Sequence, residues 1–523
     1  MKKTALALSL VLIGLLALVL SVTSAVKAQE PLNLTIKPDG SVEPNTNLLA
    51  GNGNTYIFNG DIFGTILVQI NNIVIDGAGH TLQANGDTLV GINIEGRNNV
   101  TVKNVVIQGF LGRAGILVTS SNGCVISKNN LEGNLIAVEL SGLSSNNRIV
   151  ENNLLNNTSG IELESAIAGS NNVISGNIVT NNNVGITLTY FTNTNVFGNT
   201  LTGNKEGFFV GGGAGSVLRN NTLNGNTYGF HVFNIQGITA LKSVDVDTSN
   251  KVNNKPIYYW VNQHDRSIPI DAGYVALIDC TNITVSNLNL SGNAEGVYLG
   301  STENSTITNN AFSNNLFGVS LDGSNNNTIS KNTIANNENG IGLGAGLGTF
   351  SANNVINLNV ITGNGNSIYF GAAASNIITR NNITNSAIGI YTEYSGINIL
   401  YNNNFINNTK QWFDIVLEPF PNVLPISVST WDNGTAGNYW SDYLSKYANA
   451  TEIDSSGIWS TPYVIDTNNT DHYPLTHPLN IAEISSIPTP TITEFPALTI
   501  PLLIILMVAA GSLVYFKKYM RSS

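Results

Sequence analysis

The chain has 523 residues, a formal net charge of −11 and only 11% charged residues. A neutral-polar, mildly acidic surface with no basic stripe excludes nucleic acid as a partner, because binding phosphates needs clustered lysine and arginine. Two cysteines cannot build a disulfide scaffold, so the fold has to depend on a large buried core.

The first 28 residues have the pattern of a secretory signal peptide. Lys2 and Lys3 precede an apolar stretch from Ala5 to Leu20, and Val26-Lys27-Ala28 places small residues around a cleavage point. We therefore expect export from the cytoplasm. Residues 29–70 would then form an N-terminal cap region.

Residues 71–410 contain a repeat of about 22 residues. In each unit an asparagine opens an apolar strand, a second asparagine follows, and a glycine then precedes an apolar residue. A fixed period in this range indicates a repeat architecture. The leading asparagines are Asn129, Asn152, Asn177, Asn199, Asn221, Asn310, Asn332, Asn359, Asn381 and Asn403.

One repeat unit contains three short strands, as in Thr328–Ser330, Thr333–Ile334 and Gly340–Leu343. The strands alternate with period two, so each buries one face, and the turns use asparagine and glycine, which tolerate left-handed backbone angles. Copies stacked at about 4.8 Å would pair each strand with those above and below. The sequence therefore predicts an all-β protein, a parallel β-helix with three strands per coil.

Two side-chain ladders are expected along this stack. An asparagine ladder would satisfy buried turn backbone, and it is structural unless its amides are exposed to water, in which case it would be a polar ligand track. An aliphatic ladder would fill the core, formed by Ile126, Ile149, Ile174, Ile307, Ile329, Ile356 and Ile378. Cys124 and Cys280 lie several coils apart, too far for a disulfide, and should be buried small apolar residues.

The repeat pattern is interrupted at residues 244–276. This segment carries two prolines, an aromatic cluster at Tyr258–Trp260 and a charged tip at His264–Arg266. It is either a set of enlarged coils or a hairpin excursion from the wall. Because the period resumes in phase near Leu288, we expect one continuous solenoid through it.

The C-terminal region is expected to close the solenoid and then anchor it. Residues 411–480 would form a cap whose aromatic side chains cover unpaired strand edges. Residues 481–495 are a Pro/Thr-rich linker, 496–516 are long and apolar enough to span a bilayer, and the basic segment 517–523 would be cytoplasmic. The aromatic plug would comprise Trp431, Tyr439, Trp440, Tyr443 and Tyr463.

Four sequence features carry a family resemblance. They are the segment 72–82, coils of the form Asn-Thr-Ile-Ser-x-Asn-x-Ile, the segment 253–260, and Gly437–Tyr443. Over residues 31–480 the chain resembles NosD-like right-handed parallel β-helix proteins. This resemblance implies a right-handed helix and the domain seen in carbohydrate-binding proteins and sugar hydrolases. Similar chains are common as anchored surface proteins of archaea.

No cofactor is predicted, although the resemblance raises both calcium and copper. Similar proteins often carry an acidic Asp-x-Asp-x-Asp-Gly loop in the cap, but residues 453–463 retain only Asp454. The methionines lie at positions 1, 507 and 520, outside the expected ectodomain, and the five histidines are dispersed. His472 and His477 could meet, but a satisfied or solvated pair is the simpler expectation.

Outward positions after the glycine landmark supply candidate catalytic residues. Glu139 and Glu162 fall on adjacent coils, and Glu164 lies two residues further along the same strand. Paired carboxylates at that separation suit glycosidase chemistry, whereas a solvated wall carries such pairs without any activity. Because the sequence does not decide between a catalytic pair and a solvated wall, no residue is assigned a catalytic role.

The same outward positions supply candidate ligand-binding residues. Aromatic rings flanked by polar groups can hold sugars by stacking and hydrogen bonding, although aromatic residues are also favoured in strands generally. The candidates are Phe209, His231, Phe233, Tyr298, Asp322, Tyr369, Tyr391, Glu393 and Tyr394.

The sequence thus predicts a single-pass surface protein with a C-terminal anchor and an extracellular β-helix. Its expected role is non-catalytic, in glycan recognition or envelope structure, with glycans or envelope components as partners. The alternative is a polysaccharide hydrolase, lyase or epimerase acting on the exposed sheet face.

Overall fold

A computed structural model describes residues 31–86, 89–163, 169–344, 350–393, 395–415 and 427–481. The predicted signal peptide, the linker beyond Ile481, the bilayer span and the basic tail lie outside these residues. Within them, no helix has the length and apolar composition needed to cross a membrane.

The first part of the chain forms a stack of coils with three parallel sheets, here called walls A, B and C. Wall A comprises Leu34–Ile36, Ile66–Val68, Val90–Asn93, Ala114–Thr119, Ile136–Ser141, Ser159–Leu163, Val184–Leu188, Glu206–Val210 and Tyr228–Val232, with Val42–Glu43 antiparallel at its edge. Wall B comprises Thr55–Phe58, Val74–Asp76, Thr101–Lys103, Val125–Ser127, Arg148–Val150, Val173–Ser175, Asn195–Phe197, Val217–Arg219 and Asp245–Val246, with Leu49–Asn52 antiparallel at its edge. Wall C comprises Ile62–Phe63, Thr81–Gln83, Val106–Gln108, Asn130–Glu132, Asn153–Leu155, Ile178–Thr180, Thr200–Thr202, Thr222–Asn224 and Lys251–Val252.

A second stack follows, with walls D, E and F. Wall D comprises Lys255–Val261, Tyr274–Ile278, Glu295–Gly300, Phe317–Asp322, Asn339–Leu343, Asn366–Phe370, Ile388–Thr392 and Lys410–Asp414. Wall E comprises His264–Ser267, Thr281–Ser286, Thr306–Thr308, Thr328–Ser330, Val355–Asn357, Ile377–Thr379 and Ile399–Tyr401. Wall F comprises Asn289–Ser291, Ala311–Ser313, Thr333–Ala335, Val360–Thr362, Asn382–Thr384, Asn404–Ile406 and Tyr439–Trp440. The remaining elements are the helices Ile238–Lys242 and Tyr443–Lys446 and the strand pairs Ser351–Ala352 with Ala373–Ala374 and Tyr463–Val464 with Thr470–Asp471.

The two predicted ladders are confirmed. The seven isoleucines of the aliphatic ladder are all at most 1% exposed. In the asparagine ladder, the Asn332 side-chain nitrogen donates to the Ile307 carbonyl at 2.9 Å and to the Asn359 side-chain oxygen at 3.0 Å. The Asn332 oxygen in turn accepts from the backbone and side-chain nitrogens of Asn310. Because these amides are buried, they stabilise the scaffold and do not form a ligand track.

The repeated glycine has an equally direct cause. A Cβ atom on Gly185 would lie 2.4 Å from the carbonyl oxygen of Gly207 in the next coil, closer than any real side chain can approach. The same distance separates a Gly160 Cβ from the Gly185 carbonyl. The landmark therefore marks a place where most coils leave no room for a side chain beside the next coil.

The segment 244–276 contains a hairpin, and the prediction of one continuous solenoid through it is wrong. Val252 of wall C pairs antiparallel with Lys255 of wall D. Asn253 and Asn254 form the two-residue turn, with φ of 48° and 66°. Two consecutive left-handed residues are what a type I′ hairpin requires. The chain thus reverses direction while the sheet continues to grow.

This reversal moves the core to the opposite face of the sheet. On wall D, Tyr274, Ala276 and Ile278 pack into the core of the first stack, whereas Val275 and Leu277 belong to the core of the second. A right-handed coil whose strands run the opposite way has to close on the other side. Wall D therefore covers the end of the first stack with one face and encloses the second stack with the other.

The cap and the cysteines agree with expectation in most respects. Trp440 lies between Phe405 and Tyr463, with ring centroids 4.5 and 4.3 Å away, and Trp431 packs against the same cluster. Tyr439 differs, because it is only half-buried. Cys124 and Cys280 are free and buried, as predicted.

We predict that Asn332→Ala destabilises the second stack by about 3 kcal/mol or more, because the Ile307 carbonyl and the Asn310 amide lose their partner and each buried unpaired group costs about 1–3 kcal/mol. Chemical denaturation followed by circular dichroism measures this. Thr333→Ala, an exposed neighbour in the same coil, is the matched control. Equal midpoints for the two variants would contradict a structural role for the ladder.

Candidate functional site

The predicted carboxylate row lies on the outer face of wall A. Glu139 pairs in register with Leu117 on one side and Glu162 on the other, which confirms that the two glutamates occupy adjacent coils. Glu162 is half-buried. Glu164 lies outside the described residues.

Glu139 is held by Arg113, which the sequence reading did not identify. The Arg113 Nε and Nη2 atoms donate to the two carboxylate oxygens of Glu139 at 3.0 and 2.7 Å. These hydrogen bonds raise the pKa of Arg113 despite its partial burial. Because both oxygens of Glu139 face guanidinium donors, neither is oriented to exchange a proton with a ligand.

The joint is the region where the end of the first stack meets wall D of the second. There, His231 lies between two carboxylates. Its Nδ1 is 3.3 Å from Glu206 Oε2, and its Nε2 is 3.4 Å from Glu295 Oε1. The second Glu295 oxygen accepts a hydrogen bond from the Tyr274 hydroxyl at 2.8 Å. Glu206 and His231 belong to the first stack and Tyr274 and Glu295 to the second, so this cluster joins the two.

The joint shifts the pKa of its members. Burial alone would lower the pKa of His231, but Glu295 and then Glu206 outweigh it, and the pKa is raised. Burial raises the pKa of Glu295, against the opposing effects of His231 and Tyr274. Both groups therefore hold a proton more tightly in the folded protein than in the unfolded chain.

A second pair at the joint consists of Tyr298 and Asp322. The Tyr298 hydroxyl donates to Asp322 Oδ2 at 2.7 Å, and both side chains are at most 2% exposed. Burial raises the pKa of Asp322. His231, Tyr298 and Asp322 were predicted to lie on an exposed ligand-binding face, and the structure corrects this prediction. They point outward from their own stack, but the other stack covers them.

Phe209 and Phe233 flank the joint. Both are half-buried, and their rings meet the His231 ring edge-on, with centroid distances of 4.8 and 6.1 Å. They extend the buried cluster toward the outer face of wall A.

The remaining predicted aromatic residues form a ladder on the outer face of wall D. Tyr369, Tyr391 and Phe413 are aligned in register, and all three are half-buried. The centroids of Tyr369 and Tyr391 are 5.3 Å apart with planes at 21°, and those of Tyr391 and Phe413 are 5.5 Å apart at 38°. Glu393 accepts from the Tyr369 hydroxyl at 2.8 Å. Tyr394 lies outside the described residues.

The packing of the ladder rings against one another limits how a ligand could bind. Because the rings face one another along the stack, a sugar ring cannot enter between them, and sandwich stacking is excluded within the ladder. A ligand would therefore have to contact the ring edges or the hydroxyl groups. Among the described residues, the Tyr391 hydroxyl has no hydrogen-bond partner. Burial, followed by Glu393 and Asp414, raises its pKa to about 12, so it stays protonated and can donate.

Several site residues were missed at the sequence level. Phe413 follows Tyr391 by one 22-residue period and could have been found by extending the register. Lys410, whose Nζ lies 4.5 Å from the Phe413 centroid, belongs to the same strand. Glu206 and Glu295 could not be paired from sequence, because their contact depends on the joint.

Family models match two consecutive parts of the chain. The family described as right handed beta helix region matches residues 90–244, and the family described as periplasmic copper-binding protein (NosD) matches residues 242–445. A search of curated proteins gave no match.

Solved structures match the chain at low identity and with low TM-scores. The mannuronan C-5 epimerase AlgE6 A-module of Azotobacter vinelandii is 14% identical, with 72% of this chain and 90% of that chain covered and a TM-score of 0.27. The alginate lyase from Paenibacillus sp. is 15% identical, with 49% and 85% covered and a TM-score of 0.28. The surface adhesin PfbA of Streptococcus pneumoniae is 12% identical, with 66% and 82% covered and a TM-score of 0.25. Likeness at this level says nothing about activity.

The description of the matching family implies a copper-binding site, and the described residues do not form one. They include no group of three or more histidine, cysteine, aspartate or glutamate side chains that could hold a metal ion. His472 Nδ1 lies 3.0 Å from Asp432 Oδ2, whereas His477 Nδ1 contacts the Thr476 hydroxyl, so these histidines have separate partners. The lone Asp454 of the cap loop is exposed.

We predict that the joint weakens as pH rises above about 6.5, the ordinary histidine value. A raised folded-state pKa contributes stability that is complete below 6.5 and is lost as pH rises through the folded value. Glu295, whose pKa is also raised, adds a loss of the same sign starting from its ordinary value of 4.5. Thermal unfolding between pH 6 and pH 9 tests this.

His231→Gln removes the titrating ring and should flatten the profile above pH 6.5. His80→Gln is the matched control, since His80 is half-exposed and remote from the joint in sequence. The other ionisable groups that face the cluster, Glu206 and Tyr274, are unchanged in both variants. A wild-type profile that is already flat in this range would contradict the prediction.

Proposed function

The chain is a NosD-like right-handed parallel β-helix protein, and from that premise we propose that it is a non-catalytic glycan-recognition protein of the cell surface. The β-helix lies on the extracellular side, and the C-terminal segment 496–516 anchors it in the membrane. Glycan chains or other envelope components are its partners.

The observation that carries this proposal is the Tyr391 hydroxyl. It is a protonated donor on a half-buried ring, and no described residue accepts its hydrogen bond. The neighbouring Tyr369 hydroxyl and Glu393 carboxylate continue the row of polar groups along the stack. A polysaccharide offers hydroxyl groups at regular intervals and can satisfy such a row along the coils.

Catalysis is supported less well by the same structure. An acid and a base have to reach the scissile bond, but Arg113 engages both oxygens of Glu139. Glu162, in the adjacent coil, is the remaining described carboxylate of the predicted set. It is the basis of the alternative, a polysaccharide hydrolase, lyase or epimerase working on wall A.

We predict that Tyr391→Phe weakens glycan binding by roughly 3- to 10-fold, the usual contribution of one hydrogen bond. The substitution keeps the ring and therefore the ladder. A glycan array identifies a binding oligosaccharide, and calorimetry then measures its affinity for the purified protein. Tyr401→Phe on wall E is the matched control and should leave the affinity unchanged.

The other candidate roles give different results. Turnover of a polysaccharide that is lost in Glu162→Gln would replace the recognition proposal with an enzyme. An absence of glycan binding by the wild-type protein would favour a purely structural role in the envelope.

A further inference from the structure

The second stack begins with an open coil, and we call this end of the stack its base. Among the described residues, no strand pairs with His264–Ser267, the first strand of wall E, on the side away from the stack. In the same coil Tyr258 is in register with Val275 and Trp260 with Leu277, both of which lie in the core of the second stack. Residues in register on parallel strands point to the same side of the sheet. Tyr258 and Trp260 therefore occupy core positions, yet both are only half-buried.

An arginine takes a further core position of this first coil. Arg266 is in register with Ile283, which is fully buried, but Arg266 itself is exposed. Its guanidinium carbon lies 4.6 Å from the centroid of the Trp260 ring, and its Nη1 donates to Gln263 Oε1 at 2.7 Å. The aromatic ring and the hydrogen bond together hold the guanidinium group in place at the open end.

The guanidinium group of Arg266 has donors to spare. Both oxygens of Glu139 engage Arg113, whereas no carboxylate in the described part of the chain forms an ion pair with Arg266. The Arg266 Nε and Nη2 atoms donate to none of the described residues. A fixed, planar guanidinium group with two free donors is suited to bind a carboxylate through two parallel hydrogen bonds.

Two aspartates near the base have partners of their own. Asp265 Oδ2 lies 2.9 Å from His264 Nδ1, and Asp265 Oδ1 accepts from Asn282 Nδ2 at 2.6 Å. Asp271 Oδ1 accepts from the Tyr258 hydroxyl at 2.8 Å. Both aspartates are exposed. Their repulsion of an anion at the base therefore acts through solvent and is weaker than a direct contact with the guanidinium group.

The base is too small for a stable protein interface. Its sides are the strands Lys255–Val261 and His264–Ser267, which are roughly 23 and 13 Å long at about 3.3 Å per residue. The triangular face between them is on the order of 150 Å², whereas a specific protein interface needs about 800 Å² on each partner. One or two sugar rings cover an area of this size. Ile270, which is 81% exposed, adds an apolar contact beside it.

We propose that the base of the second stack binds the carboxylate of a uronate sugar, with Arg266 as the anchor. The carboxylate accepts from the Nε and Nη2 donors, and the sugar ring lies between Tyr258 and Ile270. The Tyr258 ring stands at 90° to the Trp260 ring, with centroids 6.2 Å apart, and forms one side of the site.

This site is separate from the aromatic ladder of wall D. Six strand spacings, roughly 29 Å, lie between the strand of Trp260 and that of Tyr391, and the two rings are on opposite faces of the wall. The base therefore adds a second ligand site to the recognition function proposed above and does not depend on the ladder.

The test measures binding of three probes to the full chain by calorimetry at low and at high salt. The probes are trigalacturonate, a galactose trisaccharide without carboxylates, and a triglutamate peptide. Trigalacturonate should bind most tightly and lose affinity with salt, because an exposed charge pair is screened. The neutral trisaccharide lacks the carboxylate and the peptide lacks the sugar rings, so each should bind at least several-fold more weakly.

Substitutions at the base test the anchor. Arg266→Gln should weaken trigalacturonate about tenfold, the usual contribution of a hydrogen bond to a charged group, and Arg266→Lys should restore only part of this because it lacks the planar pair of donors. Asp271→Asn keeps an acceptor for the Tyr258 hydroxyl and removes a negative charge, so the affinity should be unchanged or higher. Arg148→Gln, at an exposed arginine on wall B, is the matched control and should change nothing.

Three results would overturn the proposal: equal effects of Arg266→Gln and Arg148→Gln, loss of trigalacturonate binding in Asp271→Asn, or peptide binding as tight as that of trigalacturonate. Tyr391→Phe should leave trigalacturonate binding unchanged, so failure at the base and failure at the ladder are distinguishable. If Arg266→Gln does not fold, the comparison of the three probes on the wild-type protein decides.

Discussion

The hydrogen bond from one ladder asparagine to the next coil is the interaction on which the rest of the structure depends. Each amide pairs with a backbone group that the turn leaves inside the protein, and it does so along the stack. Strand pairing alone would leave these turn groups unpaired and buried, at a cost of about 1–3 kcal/mol each. Because the ladder fixes the register of the coils that carry it, it also fixes which of their side chains point outward.

The joint shows what happens when this register is maintained but the chain direction is reversed. At Asn253 and Asn254, two residues with left-handed backbone angles, the chain reverses between wall C and wall D. The core of the second stack therefore lies on the opposite face of the sheet from that of the first. Side chains that would face solvent in a single stack then face the end of another. The cost of burying their polar groups is offset because these groups pair with one another. His231 lies between Glu206 and Glu295, and the Tyr298 hydroxyl donates a hydrogen bond to Asp322. Removal of one member is therefore more damaging than its own contact would indicate.

Local properties of the fold could be predicted from the sequence, and properties that depend on the joint could not. The isoleucine and asparagine ladders and the buried cysteines follow from periodicity, which depends on neighbouring coils. Most of the aromatic plug follows from the need to cover the open end of a solenoid. The period of 22 residues is the same in both stacks, so its return near Leu288 gave no sign of the reversal. The signal was present in Asn253-Asn254, a pair suited to a type I′ turn, but asparagine is common in every turn of this chain.

The candidate site shows the same difference between residues that the repeat register places correctly and residues whose surroundings depend on the joint. Tyr369 and Tyr391 occupy the outward positions that the register assigned to them, and both remain half-buried. Tyr298 and Asp322 occupy the same kind of position but lie close to the joint, and they are buried. The repeat pattern also could not predict the pairing of Arg113 with Glu139. Arg113 lies just before its strand, outside the positions that alternate between the two faces. The ring-on-ring packing of the ladder restricts ligands to its edge, which residue types alone do not reveal.

Because most coils bring their own asparagine and their own glycine, a duplicated coil can be inserted between two others without a new kind of contact. Gene duplication can therefore lengthen or shorten either stack one coil at a time, and with it the outward row of side chains. The hairpin at Asn253-Asn254 and the aromatic cap each occur once in the described part of the chain and cannot be copied in this way. Among descendants of a common ancestor, we expect the number of coils on either side of the hairpin to vary while the hairpin itself stays fixed.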